Sequence, residues 1–468
     1  MSTKVKIPAD FTTEFAEGFT KGIEGSMLRT AYLWFVRPLR HFFSRFCIPL
    51  IVLTTLWTTS NLKWSEQGLR YTITSDGKGY YSYLPAVFIY HDLGFSFFDT
   101  IEATYYDKHT KYDYRAGEPG KPIDKYFCGV AVMQLPFFLA GHCVTLMSGQ
   151  PADGYSKWYV IFVGIGAIFW LTIGLMYLRK FLHAHGAKEE QSAFILYVIY
   201  FGTNLFYYSI IEPCMSHLYS FSLVCMFLHY GKKWLDTDNK SAAVKAAFLF
   251  GMIALVRPVN VLIGFWLIYE AGGVMKLWNA KKEIIRSVPH LVLSVLGIFL
   301  PFFIQMIIWK IQTGSFFYNS YGEEAFHFTQ PHMIDFLFSY KKGMFVYLPL
   351  TLIALFGIGA LWRKDSGKAL FIAVFLFAVI YILSCWWMWY YGGSFGTRVI
   401  IESLPIFALL LFYLLSNIKV RAVKTTVISL IVVVTLFCQF QTWQYRYFII
   451  HWSEMTKEKY WDAFGRIP

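Results

Sequence analysis

Long apolar stretches separated by short polar segments run through most of the chain. Stretches of roughly 16 to 24 residues recur, enough to cross about 30 Å of hydrocarbon at 1.5 Å per residue. A backbone in lipid must satisfy its own hydrogen bonds, so each stretch reads as a helix. The pattern predicts an all-α, polytopic transmembrane helical bundle of about eleven spans. These fall near 47–60, 157–178, 192–210, 217–230, 246–256, 259–274, 288–309, 343–361, 369–386, 399–416 and 425–440. Three regions follow: a mixed-charge leader, 1–45, a membrane domain, 46–440, and a short tail, 441–468. The leader has no short apolar core ending at a small-residue cleavage site, so it reads as a cytoplasmic or interfacial segment and not as a removed signal.

Two stretches depart from a simple alternation. Residues 61–126 form a long polar loop after the first span, and the apolar run 127–147 then threatens to invert everything after it. A re-entrant dip broken at Pro136 restores the alternation, since proline removes a helix hydrogen bond; a hidden crossing near 83–98 is the other solution. The second stretch, 246–274, is too long for one upright helix and carries Arg257-Pro258 at its centre. An arginine at the bilayer midplane costs on the order of 3 kcal/mol, so two short helices meeting near the outer face are expected there. No repeat of the kind found in many transporters is visible.

Composition agrees with this class. The 468 residues are 56% hydrophobic and only 15% charged, against about 25% charged in soluble domains. The net charge of +13 could suggest nucleic acid, but the basic residues sit in the short segments between spans. Arg37, Arg40 and Arg45, then Arg179, Lys180 and Lys188, then Lys232, Lys233 and Lys240 begin this series, which continues to Lys419, Arg421 and Lys424. That is the positive-inside pattern of a multi-pass cell-membrane protein with a cytoplasmic N-terminus. The seven scattered cysteines show no paired spacing and imply neither a disulfide framework nor a zinc site.

The candidate chemistry gathers on the segments this topology puts outside. The first loop carries SDGKGYYSYLPA, where Asp76 is flanked by glycines, Tyr80 and Tyr81. A carboxylate near the lipid boundary suits a base that takes a proton from a hydroxyl, although Asp-Gly is also an ordinary turn dipeptide. EPCMSH places Glu212 and His217 on a very short outer loop, where helix capping is the competing reading. Arg257 and Asn260 offer planar donors that match phosphate oxygens, or a structural pair. The loop 310–342 holds Glu323 and the pair Lys341-Lys342, the one basic pair set against the charge bias. CWWMWYYGGSFGTR joins Trp389 and Tyr390, a sugar-stacking wall or an interfacial belt, to a glycine bend and Arg398.

In order and sidedness these motifs resemble the GT-C superfamily of membrane glycosyltransferases, which use polyprenyl-phosphate sugars. The likeness rests on SDGKGYYSYLPA, EPCMSH, RPVN and WYYGGSFGTR, and on one span followed by a long first periplasmic loop. It implies a catalytic base at Asp76, a donor phosphate held by Arg257, Lys341, Lys342 or Arg398, and a cavity lined by Tyr80, Tyr81, Glu212, His217, Asn260, Glu323, Trp389 and Tyr390. The implied partners are a polyprenyl-phosphate sugar, a glycan, lipid or protein acceptor and membrane lipids, with no nucleic acid; no cofactor is indicated, and the dispersed acidic residues do not decide between chemistry with and without a divalent cation. Many relatives carry paired acids in the first loop, whereas Asp76 is followed by glycine. No G-x-x-x-x-G-K-[ST] loop is present, which accords with a lipid-borne donor. A lipid-linked glycan ligase or polymerase, or a transporter, are the alternatives. Because Asp76 reads as a residue on a polar loop, Asp76→Asn is expected to leave stability nearly unchanged.

Overall fold

A computed structural model describes residues 37–118 and 121–467. Most of the leader expected at 1–45 lies outside them. The chain is an all-helical, polytopic bundle; the strands among the described residues are one short antiparallel pair, Arg115–Glu118 with Lys121–Asp124.

Six described helices are long and apolar enough to cross a membrane: Gly129–Met147, Lys157–Ala184, Val288–Thr313, Ser366–Ser384, Arg398–Asn417 and Arg421–Arg446, with one bent pair as a seventh candidate. This is fewer than the eleven spans the apolar pattern predicts. The helix Cys47–Lys63 has 17 residues and rises only about 26 Å. The run 192–210 is split between Glu189–Phe201 and Leu205–Ile210. The helix Ser216–Thr237 is long, but it is polar on its inner side, with Ser216, His217, Ser220 and Ser222 all buried. It needs little lipid-facing apolarity because it packs between Lys157–Ala184 and Lys240–Val256.

The expected re-entrant dip at 127–147 is also corrected. Gly129–Met147 is one continuous helix with Pro136 inside it. A proline costs a helix one hydrogen bond and a carbonyl clash, and here that produces no reversal. The other irregularity lies where the arginine sits: Lys240–Val256 ends at Arg257, whose backbone is extended, and a 3-10 segment, Pro258–Phe265, follows.

Small residues allow close helix crossings. Gly251 faces the carbonyls of Gly297 and Ile298, and a Cβ there would lie 2.5 Å from both oxygens. Helices in lipid approach through such small residues, because dispersion and not water exclusion drives their association. The helix opened by Arg398 is 83% buried over its apolar window, whereas Arg421–Arg446 is 11% buried and faces outward.

The loop 61–126 is itself folded. Asp76–Phe88 is a helix buried along most of its length, tied to Phe98–Tyr105 by Lys78–Glu102 and to the strand pair by Ser82–Asp124. Asp76 is therefore the first residue of a buried helix and not part of a free polar loop.

Candidate functional site

Asp76 stands at the N-terminus of its helix, where unpaired backbone N–H groups favour a carboxylate. Tyr80 follows one turn later on the same face, and Tyr81 points elsewhere. The Tyr81 hydroxyl donates to the Gly154 carbonyl at 2.5 Å, and its ring packs on Phe138 and Tyr155. Gly79 is required by what lies over it, since a Cβ would come within 2.3 Å of the Tyr126 ring. That space lets Tyr126 lie against Tyr80, ring centroids 4.7 Å apart, and reach the carboxylate.

Two ion pairs form the core of the site. Arg398 Nη2 donates to Asp76 Oδ2 at 2.6 Å across 322 residues of chain. The Tyr126 hydroxyl donates to Asp76 Oδ1 at 2.8 Å and lies 2.6 Å from the Tyr112 hydroxyl. The second pair sets Arg257 Nε 3.2 Å from Glu402 Oε1, and the same oxygen is 2.9 Å from His217 Nδ1. Ser216 extends the second pair to Tyr80: its hydroxyl donates to the Tyr80 hydroxyl at 3.1 Å and accepts from Arg257 Nη1 at 3.3 Å. Two polar chains result, Tyr112–Tyr126–Asp76–Arg398 and Tyr80–Ser216–Arg257–Glu402–His217, and they meet where the Tyr126 ring lies against that of Tyr80.

Not every polar atom at or near these pairs is satisfied by the protein. Arg398 Nε, His217 Nε2, Glu402 Oε2 and Glu212 Oε2 are buried and have no hydrogen-bond partner among the described residues. Native interiors carry few such groups, and each normally meets water or a ligand. The Asp76 and Arg398 side chains retain 19% and 11% exposure, so the first pair is reachable from outside.

The acidity of Asp76 follows from these neighbours. Burial alone would raise its pKa, but the charge of Arg398, the Tyr126 hydrogen bond and the charge of Lys125 outweigh it and hold the carboxyl below its usual range. Glu212 moves the opposite way: burial lifts it, with Arg398 opposing and Asp76 adding to the rise. Its Oε1 accepts from the Tyr207 hydroxyl at 3.2 Å.

The remaining residues named from the sequence are dispersed. Lys342 is buried and turns away from Asp76, donating to the Ser394 carbonyl and, at 2.6 Å, to that of Trp452. Burial, with Arg398 and Lys341 adding to it against Glu212, lowers its pKa to about 7. Lys341 lies 3.5 Å over the Tyr390 ring. Trp389 stacks at 6.2 Å on His332. Glu323 is exposed. Asn260 donates to Ser220 at 3.1 Å and lines, with Glu402 and Ser403, a small, partly open cleft whose walls include Val259, Ile263, Phe375 and Val379.

Sequence reading did not single out Tyr126, Tyr112 or Ser216, and no local pattern marks them. Glu402 carried a signal, as the carboxylate one turn beyond Arg398. Asp124 is another: fully buried, it accepts from the Tyr126 amide at 2.8 Å and lies 2.7 Å from the Ser82 hydroxyl. Burial, against those two hydrogen bonds and Lys125, raises its pKa to about 7. The Ser82 hydroxyl also lies 3.0 Å from the Gly79 carbonyl, so its one proton faces two acceptors. A protonated Asp124 that donates to Ser82 satisfies all three groups.

No group of three or more His, Cys, Asp or Glu able to hold a metal ion occurs among the described residues. No protein-family model matches this chain, and no curated protein sequence matches it.

Proposed function

We propose that this protein is a membrane glycosyltransferase of the GT-C type, moving a sugar from a polyprenyl-phosphate donor to a hydroxyl acceptor at the non-cytoplasmic face. The observation that carries the reading is the Asp76–Arg398 pair, which joins a carboxylate from the first loop to a guanidinium from the last third of the chain. A base and a phosphate-binding cation are the two groups that direct sugar transfer needs.

In the proposed reaction the bond between the anomeric carbon and the donor phosphate oxygen breaks. The acceptor oxygen bonds to the opposite face of that carbon, with inversion, and its proton passes to Asp76. The phosphate departs with the bonding electrons, and fixed cations stabilise the charge it gains. Arg398 is suited to this role, with Nε free of partners among the described residues and a planar fork that matches phosphate oxygens.

The resting pair also constrains the order of events. A carboxylate held acidic by Arg398 is a weak base, so Asp76 acts only after Arg398 has been drawn to the donor phosphate. Donor binding then supplies the base as well as the electrophile, and water entering without donor meets an inactive carboxylate.

The test is turnover by purified, reconstituted protein on a panel of polyprenyl-phosphate sugars with a mixed acceptor extract. Release of polyprenyl phosphate with formation of an inverted glycoside supports the reading. No release with any donor, from protein that melts cooperatively, rejects it.

A further inference from the structure

We propose that the helix Val274–Ile285 is a docking surface for anionic phospholipid headgroups, lying in the plane of the membrane boundary. The inference is independent of the sugar-transfer chemistry. It begins with a turn: the segment Pro258–Ala271 and the segment Val274–Lys282 meet at 95°. Gly272 and Gly273 make the turn with φ of 74° and 135°, a backbone that side-chain-bearing residues rarely adopt. A helix leaving a membrane-directed segment at a right angle runs along the bilayer surface.

The composition of its outer face matches that location. Ile284 is buried against the protein, while Val274, Met275, Trp278 and Ile285 are 68%, 71%, 51% and 45% exposed. Positions 274, 278, 281, 282 and 285 share one side at the three-to-four-residue helical spacing. Lys281 and Lys282 therefore flank the apolar stripe, and both are exposed, as is Lys276. The Lys281 ammonium lies 4.7 Å over the Trp278 ring, so the stem covers apolar surface while the charge stays at its edge. The helix carries three lysines against one glutamate, Glu283, in its sequence. Apolar stripes rimmed by lysines are the mark of helices seated at the headgroup boundary.

Continuity identifies the occupant as lipid. The next helix, Val288–Thr313, is only 22% buried over its apolar window and exposes Val288, Val292, Leu296, Phe299 and Leu300. Exposed Ile285 of the stripe and exposed Val288 of this wall stand three residues apart in the chain. A soluble partner would have to cover a surface that is continuous with hydrocarbon.

Each lysine near an anionic surface contributes roughly fivefold in affinity. Native mass spectrometry of the full chain in detergent, titrated with phosphatidylglycerol against phosphatidylcholine, reads this directly. Wild type should prefer phosphatidylglycerol, and Lys276→Gln/Lys281→Gln/Lys282→Gln should reduce that preference at least about tenfold, with an unchanged melting temperature. The corresponding triple arginine variant should keep it. A glutamine variant with the wild-type preference overturns the proposal. A photo-crosslinking residue at Met275, activated in native membranes, should give lipid adducts; a discrete protein adduct in their place overturns it as well.

Discussion

Lys342 and Arg398 are both buried cations at one end of the bundle, yet their surroundings differ in kind. Lys342 ends on two backbone carbonyls, Ser394 O and Trp452 O, and its own carbonyl accepts from Thr397 at 2.5 Å. It ties the segment before Arg398 to the C-terminal tail. Arg398 ends on a side-chain carboxylate and keeps an unpartnered Nε. A cation pinned by backbone oxygens is a clamp, because those acceptors cannot leave without unfolding the segment. A cation held by one carboxylate, with a donor to spare, can change partners. From sequence both residues are phosphate-binding candidates; under the proposed function Lys342 is the clamp and Arg398 the group that exchanges partners.

The sharpest way to break this distinction is by mutation of the pair. Asp76→Asn and Arg398→Gln should each lower turnover by at least about 100-fold, the size expected for a lost base or a lost transition-state cation. Neither should leave stability untouched, which corrects the expectation of a solvated Asp76. Removing one partner of a buried ion pair costs up to roughly 3 kcal/mol because the other charge is stranded. The double variant should regain part of that loss, a coupling of about 1–3 kcal/mol, measured as melting temperature in detergent while turnover stays absent.

Asp124→Asn tests whether the Tyr126 arm of the site is held by a neutral acid. Below about pH 4 the carboxyl is protonated folded or unfolded, and it contributes no pH dependence. As pH rises toward 7 the unfolded chain loses the proton and the folded chain keeps it, so wild-type stability falls. Above its folded pKa of about 7 the loss is complete and constant, with a ceiling of roughly 4 kcal/mol. The asparagine variant has the same hydrogen-bond pattern and no such slope. It should melt with wild type at pH 4 and above it at pH 8.

Lys342→Met should strand two carbonyls and cost about 3 kcal/mol, while the folded fraction keeps turnover within about tenfold of wild type. Lys341→Gln should matter least, at about 0.5–1 kcal/mol for a part-exposed contact with Tyr390. A larger effect on turnover from Lys341 than from Lys342 would reverse the assignment of clamp and ligand.

The fold was readable where apolar runs are long and continuous: 157–178, 288–309, 369–386, 399–416 and 425–440 each fall on one membrane-length helix. It was less readable where interior helices carry polar faces, as at Ser216–Thr237, because burial by neighbours and not by lipid sets their composition. Pro136 misled in the other direction, since one missing hydrogen bond does not end a helix. Within the site, Asp76, Arg398, Arg257 and His217 announce themselves as charges or imidazoles in apolar surroundings. Tyr126 and Ser216 do not, because their importance lies in reaching residues distant in sequence, and thirty-odd other tyrosines look the same from composition.

The central claim is that Arg398 exchanges Asp76 for an anionic ligand, and binding of a polyprenyl phosphate without sugar tests it most directly. Calorimetry on purified wild type, Asp76→Asn and Arg398→Gln would give the three affinities. Release of Arg398 from its competitor should make Asp76→Asn bind about tenfold tighter than wild type, the effect of roughly 1.4 kcal/mol, while Arg398→Gln binds more weakly. Equal or weaker binding by Asp76→Asn, in protein that remains folded, would contradict the exchange.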